Sequence, residues 1–153
     1  MLSIGIIWNP VSDYFDDIVS DIKKKTNVYV VRKETVEDTH AFVYAIYQDM
    51  LALDRSKIVF KLQNLFLSID NVIVVIIFDF DESNVYFHPY KHKNVYAELD
   101  SLKRDIRQKY GNKITNYQFD NVFHCTDDEE EFKYTYKILK KYFHDIPDIA
   151  LFT

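Results

Sequence analysis

His124 stands where a short apolar segment, Asn121-Val122-Phe123-His124, gives way to Cys125-Thr126-Asp127 and then to four more acids at 128–131. A histidine at a strand-to-helix junction sits near free backbone N–H groups and the positive end of a helix dipole, where proteins hold phosphate. A neutral imidazole is nucleophilic near pH 7, so it can take up a phosphoryl group and pass it on. A structural role is the other reading, with the ring hydrogen-bonded to Asp127 at the strand end. Among the acids, Asp127 is best placed to contact His124. Glu131, one helical turn on, is within reach of the second ring nitrogen. The remaining acids complement the helix dipole.

Other candidates lie upstream. Arg107, flanked by Lys103 and Arg104, is near the end of a helix that leads into the His124 strand. A guanidinium matches phosphate oxygens two at a time, although cations at a helix end also serve the dipole alone. Lys61 sits between Phe60 and Leu62 and either snorkels or points at an anion. Asp79 and Asp81, one residue apart after an apolar strand, form a pair that can hold Mg²⁺ or an ordinary acidic turn. His88 and His92 are four apart, but Pro89 lies between them and no cysteine is near, so no zinc site is expected. His40 and His144 read as surface histidines.

Composition bounds these options. The 153 residues predict one domain over 1–153, and 48% hydrophobic with 28% charged residues is a globular balance. The net charge of −5 argues against a nucleic-acid partner. The one basic run, Lys23, Lys24 and Lys25, falls at a predicted helix end. Cys125 is the single cysteine, which excludes an internal disulfide and fits a reducing, cytoplasmic setting. The start carries no basic region, so no signal peptide is expected. The longest apolar run, 72–78, is far short of the roughly 20 residues of a membrane span. Gly5 and Gly111 are the only glycines, which removes the Walker loop, the dinucleotide fingerprint and the nucleophile elbow. Any phosphate site must use side chains and helix ends.

The elements that must position these residues follow from periodicity. Strands are predicted over 3–8, 27–33, 71–80 and 119–124, with a short one over 85–88. A helix capped by Ser12 or Asp13 runs to Lys25, with Phe15, Ile18, Val19 and Ile22 inward. Two more cover 36–53, with Phe42, Ile46 and Met50 on one face, and 55–69, broken at Leu53-Asp54-Arg55. A fourth spans 93–110 on a stripe of Leu99, Leu102 and Ile106 and ends at Gly111. The last, 126–143, opens with a Thr126/Glu129 capping box. The unbroken apolar strand 71–80 implies a sheet covered on both faces. The fold class is therefore α+β, a mostly antiparallel four-stranded sheet covered by helices.

Taken together, these elements resemble the nucleoside diphosphate kinases over nearly the whole chain. That family carries Asn-x-x-His-Gly-Ser-Asp at the end of its last strand, where this chain has Asn121-Val122-Phe123-His124-Cys125-Thr126-Asp127. The resemblance implies a ferredoxin-like sheet with a helical hairpin between the second and third strands. It implies His124 as the phosphate carrier, with Asn121 and Asp127 in the site. It also implies phosphate binding by Arg107 of the Ile106-Arg107 pair, and Tyr47 lining the site from the hairpin. The chain departs from the family at Asn9-Pro10-Val11, where the family has Lys-Pro-Asp and its lysine binds phosphate. Lys61 is the candidate replacement for that cation. Thr135 aligns with the acid that steadies the family's histidine, which leaves Glu131 as the substitute. The family's glycine- and proline-marked nucleotide segment has no counterpart.

The implied activity is a nucleotide-dependent phosphotransferase acting through a phosphohistidine at His124. ATP or GTP would be the partner, Mg²⁺ would arrive with the nucleotide, and a homo-oligomer would follow the family's hexamers and tetramers. Two other readings stay open: a catalytically inactive nucleotide- or phosphate-binding module on the same fold, and a Mg²⁺-dependent transferase using Asp79 and Asp81.

Overall fold

In the computed structural model the described residues are 1–48, 55–65, 71–114 and 121–151. Six strands and five α-helices lie along them. They are β1 (Leu2–Ile7), α1 (Phe15–Lys25), β2 (Asn27–Thr35), α2 (Thr39–Tyr47), α3 (Arg55–Asn64), β3 (Val72–Asp79), β4 (Val85–His88), β5 (Lys93–Tyr96), α4 (Ala97–Gly111), β6 (Phe123–Cys125) and α5 (Glu129–Tyr142). Short 3₁₀ turns cover Asn9–Tyr14 and Ile149–Leu151. No helix among the described residues is long and apolar enough to cross a membrane.

The main sheet has the order β2-β3-β1-β6, and every neighbouring pair is antiparallel. The all-apolar run of β3 is placed in the middle because both its faces are buried. Ile73, Val75 and Ile77 join Ile4, Ile6 and Trp8 in one core, while Val74, Ile76 and Phe78 join Ile7 and Phe123 in the other. Helices α2 and α5 cover the first face through Phe42, Tyr47, Phe132 and Leu139. Helices α1 and α4 cover the second through Phe15, Ile18, Leu102 and Ile106. This is the predicted α+β layout, with β6 at an edge of the sheet among the described residues.

Several boundaries move, each for a local reason. Pro10 starts a tight 3₁₀ turn directly after β1, so Ser12 and Asp13 fall inside that turn and cap nothing, and α1 begins at Phe15. Val36 extends the strand edge, its N–H donating to the Asn71 carbonyl at 2.7 Å, and Asp38 caps α2 instead by accepting from the Ala41 N–H. Residues predicted as the start of the fourth helix form β5, a hairpin with β4 that pairs Val85 with Tyr96 and His88 with Lys93. Gly111 does not terminate α4 in a left-handed turn. It is the last helical residue, and Asn112 caps with φ −69°. Thr126 belongs to the sheet, exchanging bonds with Ile4 through its N–H and its hydroxyl, so the α5 cap shifts to Asp128. Met50, the 53–55 break, the end of the second hairpin helix at 69 and the strand start at 119 touch or lie outside the described residues.

Candidate active site

The register of β1 with β6 decides where His124 points. His124 lies opposite Ile6, and Ile6 belongs to the core shared with Trp8 and Tyr47. His124 therefore faces the α2 side of the sheet, while its neighbours Phe123 and Cys125 face α4. There it meets the Tyr47 ring nearly perpendicular, with centroids 4.9 Å apart. As a residue, His124 is half-buried. Neither ring nitrogen is hydrogen-bonded to another described residue.

Cations reach this histidine from both layers because β6 is an edge strand. From the α2/α3 side comes Lys61, a buried lysine at 6% exposure. Its ammonium lies 4.5 Å from the centre of the Tyr47 ring and donates to the Tyr47 hydroxyl at 3.4 Å. From the other side comes α4. Arg107 donates from Nε to the outward carbonyl of Phe123 at 3.0 Å, which fixes the guanidinium beside the strand. One turn earlier, buried Lys103 pairs with one oxygen of Asp127, and Lys91 from the β4–β5 hairpin reaches the other at 3.0 Å.

These surroundings set the protonation states. Burial, followed by the charges of Lys61, Arg107 and Lys103, pulls the His124 imidazole down to about 3. The ring is therefore neutral, and nucleophilic, across the physiological range. Burial pushes the Asp127 carboxyl up, but Lys103 and Lys91 outweigh it and hold the group well below the usual carboxylate range. Burial and the nearby Asp127 charge raise Glu131, against the bond that its carboxylate accepts from the Asp127 N–H at 2.5 Å. Burial drives the Cys125 thiol up to about 12, so it is unreactive.

The predicted residues therefore divide. His124, Tyr47, Lys61, Arg107 and Asp127 come together around the β6 edge. Asn121 is buried two positions before β6. No hydrogen bond links Asp127 or Glu131 to the His124 ring among the described residues. Asp127 holds lysines, and Glu131 holds the backbone at the start of α5. Asn9 is buried, with its amide donating to the Val72 carbonyl at 3.3 Å. Asp79 accepts from the Met1 ammonium at 2.8 Å and Asp81 from the Ser83 N–H at 2.9 Å. Both aspartates line an open cleft of about 450 Å³ with Lys23 and Lys24, and none of the residues around His124 borders it. Lys103 is the residue that sequence reasoning passed over as a mere flank of Arg107. It sits four residues after Leu99 on the stripe that continues to Ile106, so a lysine at a core position was its signal.

The sequence matches no protein-family model and no curated protein. Solved structures do match in shape. The nucleoside diphosphate kinase of Aquifex aeolicus superposes with a TM-score of 0.56 at 9% identity, covering 90% of this chain and 93% of that one. The nucleoside-diphosphate kinase of Borrelia burgdorferi, solved as a transition-state mimic with bound vanadate and ADP, superposes with a TM-score of 0.57 at 13% identity, covering 98% and 94%. The fold is that of the nucleoside diphosphate kinases. On this fold the β4–β5 hairpin delivers Lys91 to Asp127, and α4 brings Lys103 and Arg107 to the edge of β6.

Proposed function

We propose that this chain is a nucleotide-dependent phosphotransferase working through a phosphohistidine at His124. One observation carries the reading: a neutral imidazole on a half-buried histidine, under the charges of Lys61, Arg107 and Lys103, on the nucleoside diphosphate kinase fold. A ring nitrogen attacks the terminal phosphorus of ATP or GTP. The P–N bond forms as the bond to the bridging oxygen breaks, and the electron pair leaves with the nucleoside diphosphate. The cations offset the charge on the transferring oxygens. A phosphate oxygen of an acceptor then takes the phosphoryl group from nitrogen and returns the imidazole to its neutral form.

Mg²⁺ belongs to the nucleotide in this scheme and neutralises its phosphate oxygens. Among the described residues no three of His, Cys, Asp and Glu come together to hold an ion. Tyr47 walls the imidazole, and Arg107 stays aimed because the Phe123 carbonyl holds its Nε. A homo-oligomer in a reducing cytoplasm goes with this reading.

The test is incubation with γ-labelled ATP or GTP. An acid-labile, base-stable label is expected on the wild type and not on His124→Ala. An unlabelled wild type, or a His124→Ala protein that labels equally well, overturns the proposal.

Asn9 favours a second reading. An amide tied to the Val72 carbonyl ends the first strand where the resembled kinases place a phosphate-binding lysine. A nucleotide-binding module without turnover would show equilibrium binding and no label. The Asp79/Asp81 transferase has no such support, since both carboxylates are engaged within their own turn or by the chain's first residue.

A further inference from the structure

Trp8 is the one tryptophan of the chain, and it is fully buried. Its indole N–H donates and cannot accept, so burial requires an acceptor. That acceptor is the Tyr47 hydroxyl at 3.2 Å, and the two rings lie 6.0 Å apart with planes 31° from parallel. The same hydroxyl accepts from Lys61 Nζ at 3.4 Å, and the same tyrosine ring stands 4.9 Å from the His124 imidazole. Through one tyrosine, Trp8 therefore reaches both the nucleophile and a cation of the site.

The sheet explains why this linkage fixes geometry. Gly5 and Ile6 pair with Cys125 and His124, and two residues on the Trp8 N–H donates to the Val122 carbonyl at 2.9 Å. The backbone of β1 is thus held to the chain on both sides of the histidine. Ile6 and Trp8 belong to one core, so the indole and the imidazole project from the same face of neighbouring strands. Tyr47 comes from the layer above, as the last residue of α2. Helix ends fray, and apolar packing is not directional, so an anchor outside the helix matters most there. The indole supplies a directional one, which ties Tyr47 to the strand pair that carries His124. Resting on the phosphohistidine reading, we propose that Trp8 is a positioning residue of the His124 site. Its indole N–H holds the Tyr47 hydroxyl so that the ring packs against the imidazole and the hydroxyl receives Lys61. Trp8 acts through Tyr47 and exchanges no proton.

Because Trp8 is the single tryptophan, an analogue with sulfur in place of the indole N–H can be incorporated at this position alone. Single-turnover labelling with γ-labelled ATP is compared with tryptophan and with the analogue, in the wild-type and Tyr47→Phe backgrounds, each checked for folding by urea unfolding. At saturating ATP the analogue should slow wild-type labelling by about 10-fold, within the roughly 100-fold that a misplacement of about 1 Å can cost. The ATP concentration giving half the maximal rate should hardly move, since the linkage orients the site and binds no nucleotide. In Tyr47→Phe there is no hydroxyl to hold, so the analogue should cause no further slowing. Equal rates with tryptophan and the analogue, or the same slowing in both backgrounds, make Trp8 a packing residue only and overturn the proposal. If the analogue protein does not fold, Trp8→Phe replaces it in the same comparison, and strictly additive losses overturn the proposal.

An unlabelled wild type defeats the phosphohistidine reading separately. The His124 ring resonances, assigned by their loss in His124→Gln, then decide for Trp8. Resonances displaced by the analogue in the wild-type background and not in Tyr47→Phe uphold its positioning role. Resonances that stay in place, or move equally in both backgrounds, overturn it.

Discussion

The Tyr47 ring stands nearly perpendicular to the His124 imidazole, with centroids 4.9 Å apart and planes 73° apart. The same ring carries the Lys61 ammonium over its face at 4.5 Å. Its hydroxyl accepts from Trp8 Nε1 at 3.2 Å and from Lys61 Nζ at 3.4 Å. Tyr47 thus joins a buried lysine to the histidine without a direct bond between them, carrying the cation over its π-face and packing nearly perpendicular to the imidazole.

That arrangement separates stability from activity. Tyr47→Phe keeps the ring and removes the hydroxyl, so Trp8 and Lys61 lose a buried acceptor, at a cost of about 1–3 kcal/mol. The urea midpoint should fall with little change in slope. Phosphoenzyme formation should change less than in Lys61→Met, where loss of the cation slows it by about 100-fold. A Lys61→Met protein that labels at the wild-type rate would confine Lys61 to a packing role.

The depressed His124 ring gives a pH signature. Its folded value of about 3 lies below the ordinary 6.5. Between these two values the unfolded chain binds the extra proton, so this group makes stability fall as pH drops below about 6.5 and is neutral in effect above it. Glu131, which is raised, acts in the opposite sense through the acid range, so the contribution of His124 must be isolated by comparison. Urea midpoints at pH 7 and pH 5 should separate more widely in the wild type than in His124→Gln. Equal separations would mean that the ring titrates at its ordinary value in the fold.

Much of this was legible in the residues. The unbroken apolar run located the central strand, and the family-like spacing of Asn121, His124 and Asp127 located the end of the last one. What escaped were features decided by tertiary pairing. Asn94, Val95 and Tyr96 look like a run-in to the Leu99–Leu102–Ile106 stripe, yet pairing with β4 makes them a strand. Thr126 looks like a cap, yet its hydroxyl is taken by the Ile4 N–H at 3.0 Å. The cations around His124 come from α3, α4 and a hairpin, and no local spacing records that an edge strand would draw them together. Lys103 alone carried a local sign, a lysine on an apolar stripe.

The displaced cap has a measurable worth. Asp128 accepts from the Glu131 N–H at 2.8 Å, while the Glu131 carboxylate reaches back to the Asp127 N–H. The cap is thus two residues later than the sequence suggested, and the back-bond of Glu131 falls on the residue before the cap rather than on the cap itself. Asp128→Ala should cost about 1 kcal/mol in denaturant unfolding. Thr126→Ala should cost stability through the β1–β6 edge, and amide exchange at Ile4 should report it while the first turn of α5 stays protected. Faster exchange at Glu131 in Thr126→Ala would return the cap to Thr126.

Gly5 sets the spacing on which His124 depends. It pairs with Cys125 across β1 and β6 and with Ile76 across β1 and β3. Its φ is not in the left-handed region, so backbone freedom is not why glycine is needed. Space is the reason: a Cβ there would lie 2.5 Å from Phe123 Cε2 and 2.8 Å from Ile76 Cγ2. Both neighbours are fully buried, so neither has room to retreat. Gly5→Ala is therefore an overpacking change at a cost of about 1–3 kcal/mol. The strain falls on β6, moving the strand that presents His124 and the carbonyl that anchors Arg107, so labelling should slow even where the protein remains folded. Phe123→Leu shortens the opposing ring and opens a cavity when made alone. Combined with Gly5→Ala it should recover part of the loss, giving a coupling on the order of 1 kcal/mol in a double-mutant cycle of urea unfolding. Strictly additive costs would mean that Ile76, not Phe123, bears the collision, and then the position of His124 would be insensitive to Gly5.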